Sequence, residues 1–166
     1  MKRIEIKELD RNIVSLLSEN WMLISAGNKE TFNSMTASWG GLGFIWNKPI
    51  AISMIRPQRH TYNFTEKCEC FTLSFYDEKY KDALKIFGSL SGRDVNKVEK
   101  TKFTPAFTPD GNPTYEEAFL TLECKKTYAD FLNADSFIDK SLCDTWYPAK
   151  DFHKIYFGEI MNVFVK

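Results

Sequence analysis

Several features that mark particular classes of protein are missing from this sequence. No apolar run approaches the ~20 residues that a membrane-spanning helix needs, and the 22 basic residues are balanced by 22 acidic ones. A chain without net charge has no broad electrostatic surface for nucleic acid or for an anionic membrane. We therefore expect neither partner, while a local cluster of charge can still bind a small anion.

Metal sites and disulfides also have no signal in the sequence. The four cysteines, at positions 68, 70, 124 and 143, form no Cys-x-x-Cys motif. Only His60 and His153 are available as imidazole ligands, so no zinc-site spacing is present. No hydrophobic leader follows Met1. We therefore expect free structural thiols, no metal and a cytoplasmic, reducing environment.

Aromatic residues, in contrast, are abundant. Phenylalanine, tyrosine and tryptophan make up 15% of the chain, which is typical of β-rich cores and of sites that stack on planar rings. A chain of 166 residues can bury a substantial core without disulfides. We therefore predict one domain over residues 1–166.

Hydrophobic periodicity predicts six or seven mostly antiparallel strands. An apolar strand at 21–26 is followed by a turn at 27–30, which predicts pairing with a strand from Phe32 onward. Further strands are predicted at 50–55, 71–75, 118–124 and 152–165; the one at 71–75 is expected to be half-buried and the last to bend at Gly158. Long helical crossovers are lacking, so we predict a mainly β fold, a closed or partly closed barrel with flanking helices.

Helices are predicted at fewer places. Tyr80, Ala83, Leu84 and Phe87 recur at helical spacing and predict an amphipathic helix that ends near Gly88. A helical turn or two is predicted at 61–67, and a brief helix capped by Asp94. Residues 101–115 hold three prolines and predict a loop that wraps a surface.

The first candidate site is a hydroxyl-rich strand that ends in glycines. With a period of two, Ser34, Thr36 and Ser38 share one face. A buried hydroxyl without a hydrogen-bond partner costs roughly 1–3 kcal/mol. Three hydroxyls at alternate strand positions therefore indicate hydrogen-bond partners, and a bound polar ligand is one possible partner. Gly40, Gly41 and Gly43 follow at 40–43, and we expect their backbone to allow close approach of a flat or anionic group.

Two cationic clusters are candidates for an anion site. Residues 56–62, Arg-Pro-Gln-Arg-His-Thr-Tyr, place two guanidiniums in a strand-to-helix turn. Residues 91–97 carry Arg93 and Lys97 after Ser91-Gly92. A phosphate or carboxylate site is one interpretation of each cluster, and a solvated connector or turn is the other.

These segments together resemble the flavin reductase-like, FMN-binding split β-barrel family that includes the flavoredoxins. The resemblance runs from about residue 20 to the C-terminus. It rests on five blocks in a fixed order, which are Asn33-Ser34-Met35-Thr36-Ala37-Ser38-Trp39-Gly40, Trp46-x-Lys48-Pro49, Arg56-Pro57-x-Arg59-His60-Thr61-Tyr62, Ser91-Gly92-Arg93-Asp94 with Lys97, and Leu122-Glu123-Cys124. One block alone is weak, whereas five in order are specific.

The resemblance implies a fold, a cofactor and an assembly. The fold would be an antiparallel Greek-key barrel with a few short helices, and the protein would be a homodimer that binds FMN non-covalently near the subunit interface. Residues 33–39 would line the flavin, with Thr36 and Ser38 as hydroxyl donors. The rest of the pocket would come from Arg56, Arg59 and Thr61 at the phosphate, from Ser91, Arg93 and Lys97, and from His60 and His153.

Individual roles follow from the same resemblance. Lys97, and secondly Arg93, would place positive charge near the N1 and C2 carbonyl of the flavin. His60 occupies a position where the family often has tyrosine. His153 resembles a histidine found before the last strand in many relatives, and a core or interface histidine is the alternative. No residue is assigned as a nucleophile or an obligatory base.

Three functions remain open at this point. The first is an oxidoreductase that takes a hydride from NADH or NADPH to reduce flavin, and the second is a flavoredoxin-type carrier that receives electrons from a protein donor. The third is a non-flavin module that binds another phosphorylated ligand. No Gly-x-Gly-x-x-Gly fingerprint is present, so a nicotinamide cofactor would bind only transiently, over the flavin.

Overall fold

A computed structural model of the chain describes all residues from 1 to 166, and ten strands dominate it. Eight of them form one sheet, and β7 and β8 form a separate two-stranded ribbon. Their bounds are β1 Lys2–Ile4, β2 Met22–Gly27, β3 Phe32–Ala37, β4 Gly40–Ile45, β5 Lys48–Ile55, β6 Cys70–Phe75, β7 Pro105–Phe107, β8 Pro113–Tyr115, β9 Leu120–Phe131 and β10 Lys154–Val165.

The helices are short and flank the sheet. They are α1 Ile13–Ser15, which continues as π-helical turns over Leu16–Asn20, then α2 His60–Lys67, α3 Lys81–Ser89, α4 Lys97–Thr101 and α5 Lys140–Trp146, with 3-10 turns at Ile6–Glu8, Glu78–Tyr80 and Ala134–Ser136. None of these helices has the length and apolarity needed to cross a membrane. The cap of α4 is Asn96, whose side chain accepts from the amides of Val98 and Glu99, so the prediction of Asp94 as the cap was wrong.

The sheet is antiparallel throughout and open at one place. Its strand order is β3-β2-β6-β9-β10-β5-β4, and β1 pairs with the end of β10 that extends beyond β5. The two end strands, β3 and β4, follow each other along the chain but do not pair. This arrangement confirms the predicted mainly β, split-barrel fold, and the split lies at Ser38 and Trp39.

Strand β10 was predicted to bend at Gly158, and its pairing is irregular at that residue, where the backbone also lies close to the core. The register between β10 and β9 shifts at Phe157/Gly158 and again at Ile160/Asn162. A Cβ at Gly158 would lie 2.7 Å from Phe71 Cζ and 2.8 Å from Cys124 Cβ. Only glycine fits at this contact without displacing the core.

Strand β6 is buried on both faces, whereas a half-buried strand was predicted. Its apolar face enters the main core, and the hydroxyl face lies under the β7–β8 ribbon. Thr72 Oγ1 donates to Pro113 O (2.5 Å), and Ser74 Oγ lies 2.9 Å from Thr114 Oγ1. The prediction failed because hydroxyls that look solvent-facing in the sequence are satisfied here by the loop that wraps the surface.

The glycine cluster forms the edge strand β4. Strand β4 pairs with β5 through a two-residue turn at Trp46 and Asn47, both with positive φ (54° and 57°), as in a type I′ hairpin. Gly41 and Gly43 have open space where a Cβ would stand. None of the glycines at 40–43 lines the cavities described below.

An insertion between β9 and β10 covers one end of the sheet. It spans residues 132–153, carries α5, and is closed at its base by a hydrogen bond from Leu132 N to His153 O (3.0 Å). Trp146, the last residue of α5, lies edge-on to Trp39 with ring centroids 5.0 Å apart. The insertion therefore forms a wall beside the split of the barrel.

Candidate functional site

A cavity of about 240 Å³ opens beside β3 at the split of the barrel, and we call it the β3 cavity. It brings together eight of the residues predicted from the sequence and adds two that were not. The lining residues are Met35, Thr36, Ala37, Ser38, Trp39, Met54, Arg56, Arg59, Trp146 and His153. Aromatic rings, hydroxyls and two guanidiniums therefore share one cavity.

The backbone of β3 contributes free polar groups to this region. As an end strand, β3 pairs only with β2, so alternate amides and carbonyls point away from the sheet. The Ser34 carbonyl is one of those that point away from the sheet, because it accepts a hydrogen bond from Lys97 Nζ (2.5 Å). By the period of two, the peptide groups of Thr36 point the same way.

The three alternating hydroxyls of β3 have different partners. Ser34 Oγ lies 2.7 Å from Ser25 Oγ and 2.9 Å from Tyr115 OH, and Thr36 Oγ1 donates to Leu84 O (2.5 Å). The Ser38 hydroxyl makes no hydrogen bond within the protein, and Ser38 lines the cavity. Of the predicted hydroxyl donors, Ser38 is thus the one that is free for a ligand.

Arg56 is oriented by the insertion. Its guanidinium forms an ion pair with Asp151 and donates to Trp146 O (2.9 Å). Gln58 Nε2 also donates to Asp151 (2.7 Å), and these contacts lower the pKa of the Asp151 carboxyl. Arg56 therefore ties the wall that carries Trp146 to the end of β5.

Arg59 and Lys97 both donate hydrogen bonds to carbonyls at the end of α3. Arg59 donates to Gly88 O (2.6 Å) and Phe87 O (3.1 Å), and Lys97 Nζ donates to Phe87 O (3.3 Å). Burial lowers the pKa of both, that of Lys97 to about 8 with a further contribution from the Arg59 charge. The negative end of the α3 dipole stabilises these cations, but no carboxylate forms an ion pair with either.

Lys97 lines a second cavity, of about 580 Å³, which we call the α4 cavity. Asn33, Ser34 and Arg93 also line it, so four predicted residues lie here rather than in the β3 cavity. Arg93 donates to Gln58 O (3.0 Å) and, like Lys97, has no carboxylate partner. The carbonyl of Phe87 accepts hydrogen bonds from one residue of each cavity, Arg59 and Lys97.

The remaining predicted residues lie around the start of α2. In the amide orientation that satisfies its neighbours, Asn33 Oδ1 accepts from the Thr61 amide (3.2 Å) and hydroxyl (2.6 Å). Ser91 Oγ accepts from the Arg93 amide (3.1 Å). His60 lines a third cavity, of about 710 Å³, and its Nδ1 is buried without a partner. Thr61 and Ser91 line none of the three cavities.

His153 is an uncharged imidazole at neutral pH. Burial and, secondarily, the Arg56 charge lower its pKa to about 4. Its Nδ1 lies 2.8 Å from the hydroxyl of Tyr147, which is only 4% exposed. The ring also lies against Trp39, with centroids 5.2 Å apart.

We expect this lowered pKa to make the protein less stable in mild acid. The unfolded chain binds a proton at His153 near pH 6.5, whereas the folded chain does so only near pH 4. The contribution to stability is therefore complete above about pH 6.5 and is lost as the pH falls toward 4. Denaturant titrations at pH 7.5, 5.5 and 4.5 should give a steeper loss for the wild type than for His153→Gln. Equal pH dependence in the two proteins would contradict the assignment.

Four residues around the β3 cavity were missed in the sequence. Met54 and Trp146 line it, Asp151 pairs with Arg56, and Tyr147 contacts His153. Three of them lie in the insertion. Its apolar residues are scattered and follow neither the period of two of a strand nor the 3.6-residue period of a helix. The only signal available was the clustering of Trp146, Tyr147 and Asp151 just before His153 in the sequence.

Comparison with known proteins assigns the fold and the family. A sequence model of the flavin reductase like domain matches residues 14–166. Comparison with curated proteins found no match. Among solved structures, a Thermus thermophilus FMN-binding protein with bound 1-cyclohex-2-enone superposes with a TM-score of 0.68 at 21% identity, covering 99% of this chain and 80% of that one.

Two further structures have the same fold. A flavoredoxin from Methanosarcina acetivorans has a TM-score of 0.68 at 18% identity, covering 100% of this chain and 76% of that one. An NADH:FAD oxidoreductase from Streptomyces globisporus has a TM-score of 0.68 at 14% identity, covering 89% of this chain and 75% of that one. The order of motifs, the split sheet and the match over residues 14–166 agree, and this chain belongs to the flavin reductase-like family.

Proposed function

We propose that this protein binds FMN non-covalently across the β3 and α4 cavities and uses it to carry electrons from NADH or NADPH. The observation that carries the proposal is the set of cations around the end of α3. Arg59, Arg93 and Lys97 have no carboxylate partner, and Lys97 is only 5% exposed. Charged side chains are rarely this buried without a counter-ion. A phosphate is an anion that fits this arrangement.

The other side chains also fit a flavin. The β3 cavity is smaller than the roughly 300–1,000 Å³ of a typical ligand site, so it would hold only part of FMN, with the remainder reaching the α4 cavity. Ser38 and the outward peptide groups of β3 would hydrogen bond to polar ring atoms, and Trp39 and Trp146 would exclude water from the ring. When bound, the flavin supplies the redox chemistry, taking a hydride from nicotinamide and passing electrons on.

Each residue keeps a defined task in this proposal. Arg59 and Lys97 would attract the phosphate while remaining fixed by the Phe87 carbonyl. Arg56 would hold the insertion against the cavity through Asp151. Lys97 lines the α4 cavity and would contact the phosphate in this arrangement, so it would not lie near the flavin N1 and C2 carbonyl, as the resemblance implied.

An electron carrier without nicotinamide activity is the second candidate, supported by the similarity to a flavoredoxin. The two candidates are separated by mixing FMN-loaded protein with NADH or NADPH without oxygen in a stopped-flow instrument. Rapid bleaching of the visible flavin absorbance by either nicotinamide supports the reductase. Persistence of the yellow colour, with bleaching only by a chemical reductant such as dithionite, supports the carrier.

We also propose that the protein forms a homodimer. Phe44 and Trp46 on the β4–β5 hairpin are 69% and 57% exposed, and Trp46 lies beside Tyr128 and Phe157 with ring centroids 6.5 and 5.9 Å away. Contiguous exposed aromatic rings are characteristic of interaction surfaces. Sedimentation equilibrium should give twice the mass of the chain, and Trp46→Asp should shift the mass toward that of the monomer.

We expect Trp39→Ala to change the visible spectrum of bound FMN. The indole of Trp39 lines the β3 cavity and packs edge-on against Trp146, so its loss would let water reach the flavin. The band positions should move toward those of free FMN. Val14→Ala is the control, since Val14 is 73% exposed, lines none of the three cavities and should leave the spectrum unchanged. Identical spectra for all three proteins would remove Trp39 from the site.

A further inference from the structure

The amine of Lys97 has one more hydrogen-bond donor when it is charged than the protein can satisfy. Nζ donates to Ser34 O (2.5 Å) and Phe87 O (3.3 Å) and makes no other hydrogen bond. Ser34 and Phe87 line the α4 cavity together with Lys97, so the amine lies at the wall of that cavity. A protonated amine carries three N–H donors and a neutral amine carries two. The two carbonyls therefore satisfy a neutral Lys97, and the third N–H exists only while Lys97 is charged.

The surroundings of Lys97 contain no carboxylate partner that would hold this proton in place. The residue is only 5% exposed, and the charge that acts on it is the positive charge of Arg59. Burial and, secondly, the Arg59 guanidinium lower the pKa of Lys97 to about 8. Without a ligand, Lys97 is therefore mostly charged at pH 7 and mostly neutral at pH 9.

No other group around Lys97 changes its charge between pH 8 and pH 9. The ionisable residues of other elements that line the α4 cavity or lie near its cations are Glu30, Arg59, His60, Arg93, Asp94 and Tyr115. Carboxylates and guanidiniums keep their charge in this range. Burial lowers the pKa of His60, with help from the Arg93 and Lys97 charges, and burial raises the pKa of Tyr115, so both stay neutral. A proton taken up here in this range therefore belongs to Lys97.

We propose that FMN binding is coupled to the uptake of a proton at Lys97 Nζ, and that this coupling selects the phosphorylated form of the flavin. A phosphate in the α4 cavity would accept a hydrogen bond from the third N–H, whereas a neutral Lys97 has only a lone pair in that position. The amine takes the proton from solvent, and no bond of FMN forms or breaks. The inference rests on the proposed function and deepens it, because it states which charge state of the site holds the cofactor.

The affinity for FMN should fall as the pH rises. A phosphate in contact with the amine raises the pKa of Lys97 in the complex by about one to two units. The dissociation constant of FMN should therefore increase about five- to tenfold between pH 7 and pH 9. Titration calorimetry at pH 8.5 in Tris and in Bicine, two buffers with different enthalpies of ionisation, should show uptake of about 0.5–0.7 proton per FMN. Riboflavin, which lacks the phosphate, should bind more weakly at pH 7 and without proton uptake.

Three variants of the full-length chain locate the proton. Lys97→Arg keeps its charge throughout this range, so it should bind FMN without proton uptake and with the same affinity at pH 7 and pH 9. Lys97→Met is neutral at every pH and should bind FMN about tenfold or more weaker than the wild type at pH 7, again without uptake. Lys85→Ala removes an exposed cation of α3 that pairs with Asp82 and should keep the pH dependence of the wild type.

Proton uptake by the wild type and Lys85→Ala, and by neither variant at position 97, supports the proposal. No uptake by the wild type at pH 8.5, an FMN affinity that is equal at pH 7 and pH 9, or the same uptake in Lys97→Arg would overturn it. The same uptake with riboflavin would also overturn it, and that comparison needs no variant to fold. In each of these cases FMN still binds and the proposed function stands. An unchanged visible spectrum of FMN at every pH would instead reject the proposed function and this inference together.

Discussion

Replacing Glu123 by alanine is expected to lower the free energy of unfolding by about 3 kcal/mol. Glu123 is 1% exposed, and its carboxylate accepts hydrogen bonds from Thr108 Oγ1, from Asn112 Nδ2 (2.7 Å) and from Asn162 Nδ2 (2.6 Å). Alanine leaves Thr108 Oγ1 and Asn112 Nδ2 without an acceptor in the protein, whereas Asn162 Nδ2 keeps a longer hydrogen bond to Asp110 (3.2 Å). Each unmet buried donor costs about 1–3 kcal/mol, and water entering at the half-buried asparagines recovers part of that sum.

The measurement is a urea titration of the wild type and two variants. Glu123→Gln keeps one acceptor oxygen but places its amide NH₂ against the donors of Thr108, Asn112 and Asn162. Its free energy of unfolding should therefore lie between those of the wild type and Glu123→Ala. Glu116→Ala, at an exposed position in the same segment, should change the midpoint little. A Glu123→Ala protein as stable as Glu116→Ala would show that this network does not hold the β7–β8 ribbon to β9 and β10.

Replacing Arg59 by alanine is expected to weaken FMN binding by roughly tenfold or more. A charge-assisted contact to a phosphate contributes about 1.5–3 kcal/mol, and Arg59 has no competing carboxylate. Arg59 also donates to the carbonyls of Phe87 and Gly88, so its loss frees the end of α3 and displaces the neighbour of Lys97. The lost contact and the freed end of α3 should both weaken FMN binding.

Fluorescence titration of FMN measures this effect, and two controls isolate it. Lys85→Ala removes an exposed cation on α3 that pairs with Asp82 and should leave the affinity unchanged. Arg59→Lys keeps the positive charge but cannot donate to the Phe87 and Gly88 carbonyls through two separate nitrogens. Its affinity for FMN should therefore lie between those of the wild type and Arg59→Ala. Equal affinity for Arg59→Ala and the wild type would remove Arg59 from the site.

Much of the sheet was predictable because its strands have unambiguous periodicity. Strands β2 and β3 with their turn, β5, β6, β9 and the glycine-bent β10 all lie where the pattern placed them. The amphipathic helix α3 does as well. Their apolar residues form compact runs or recur at regular spacing, and such patterns can be recognised within a short stretch of sequence.

Elements with weak local signals were missed for physical reasons. Strand β4 contains three glycines, so it has neither β-propensity nor an alternating face, and it is a strand only because β5 supplies its partner. The short strands β1, β7 and β8 depend in the same way on tertiary pairing. The insertion 132–153 is defined by contacts such as Arg56 with Asp151, which lie 95 residues apart in sequence.

The candidate site was predictable as a set of segments but not as one cavity. The sequence shows that β3 is rich in hydroxyls, but not that Ser34 and Thr36 bond within the protein while Ser38 remains free. Nor does it show that Lys97 and Arg59 approach the same carbonyl from two cavities. Those facts depend on how α3 packs against β3, which local patterns do not report.

Titration of the purified protein into FMN, followed by flavin absorbance and fluorescence, tests the central claim most directly. We expect saturable binding with one FMN per chain, visible bands displaced from those of free flavin, and weaker binding in Arg59→Ala. A folded protein, verified by circular dichroism, that leaves the spectrum of FMN unchanged at every concentration would contradict the account.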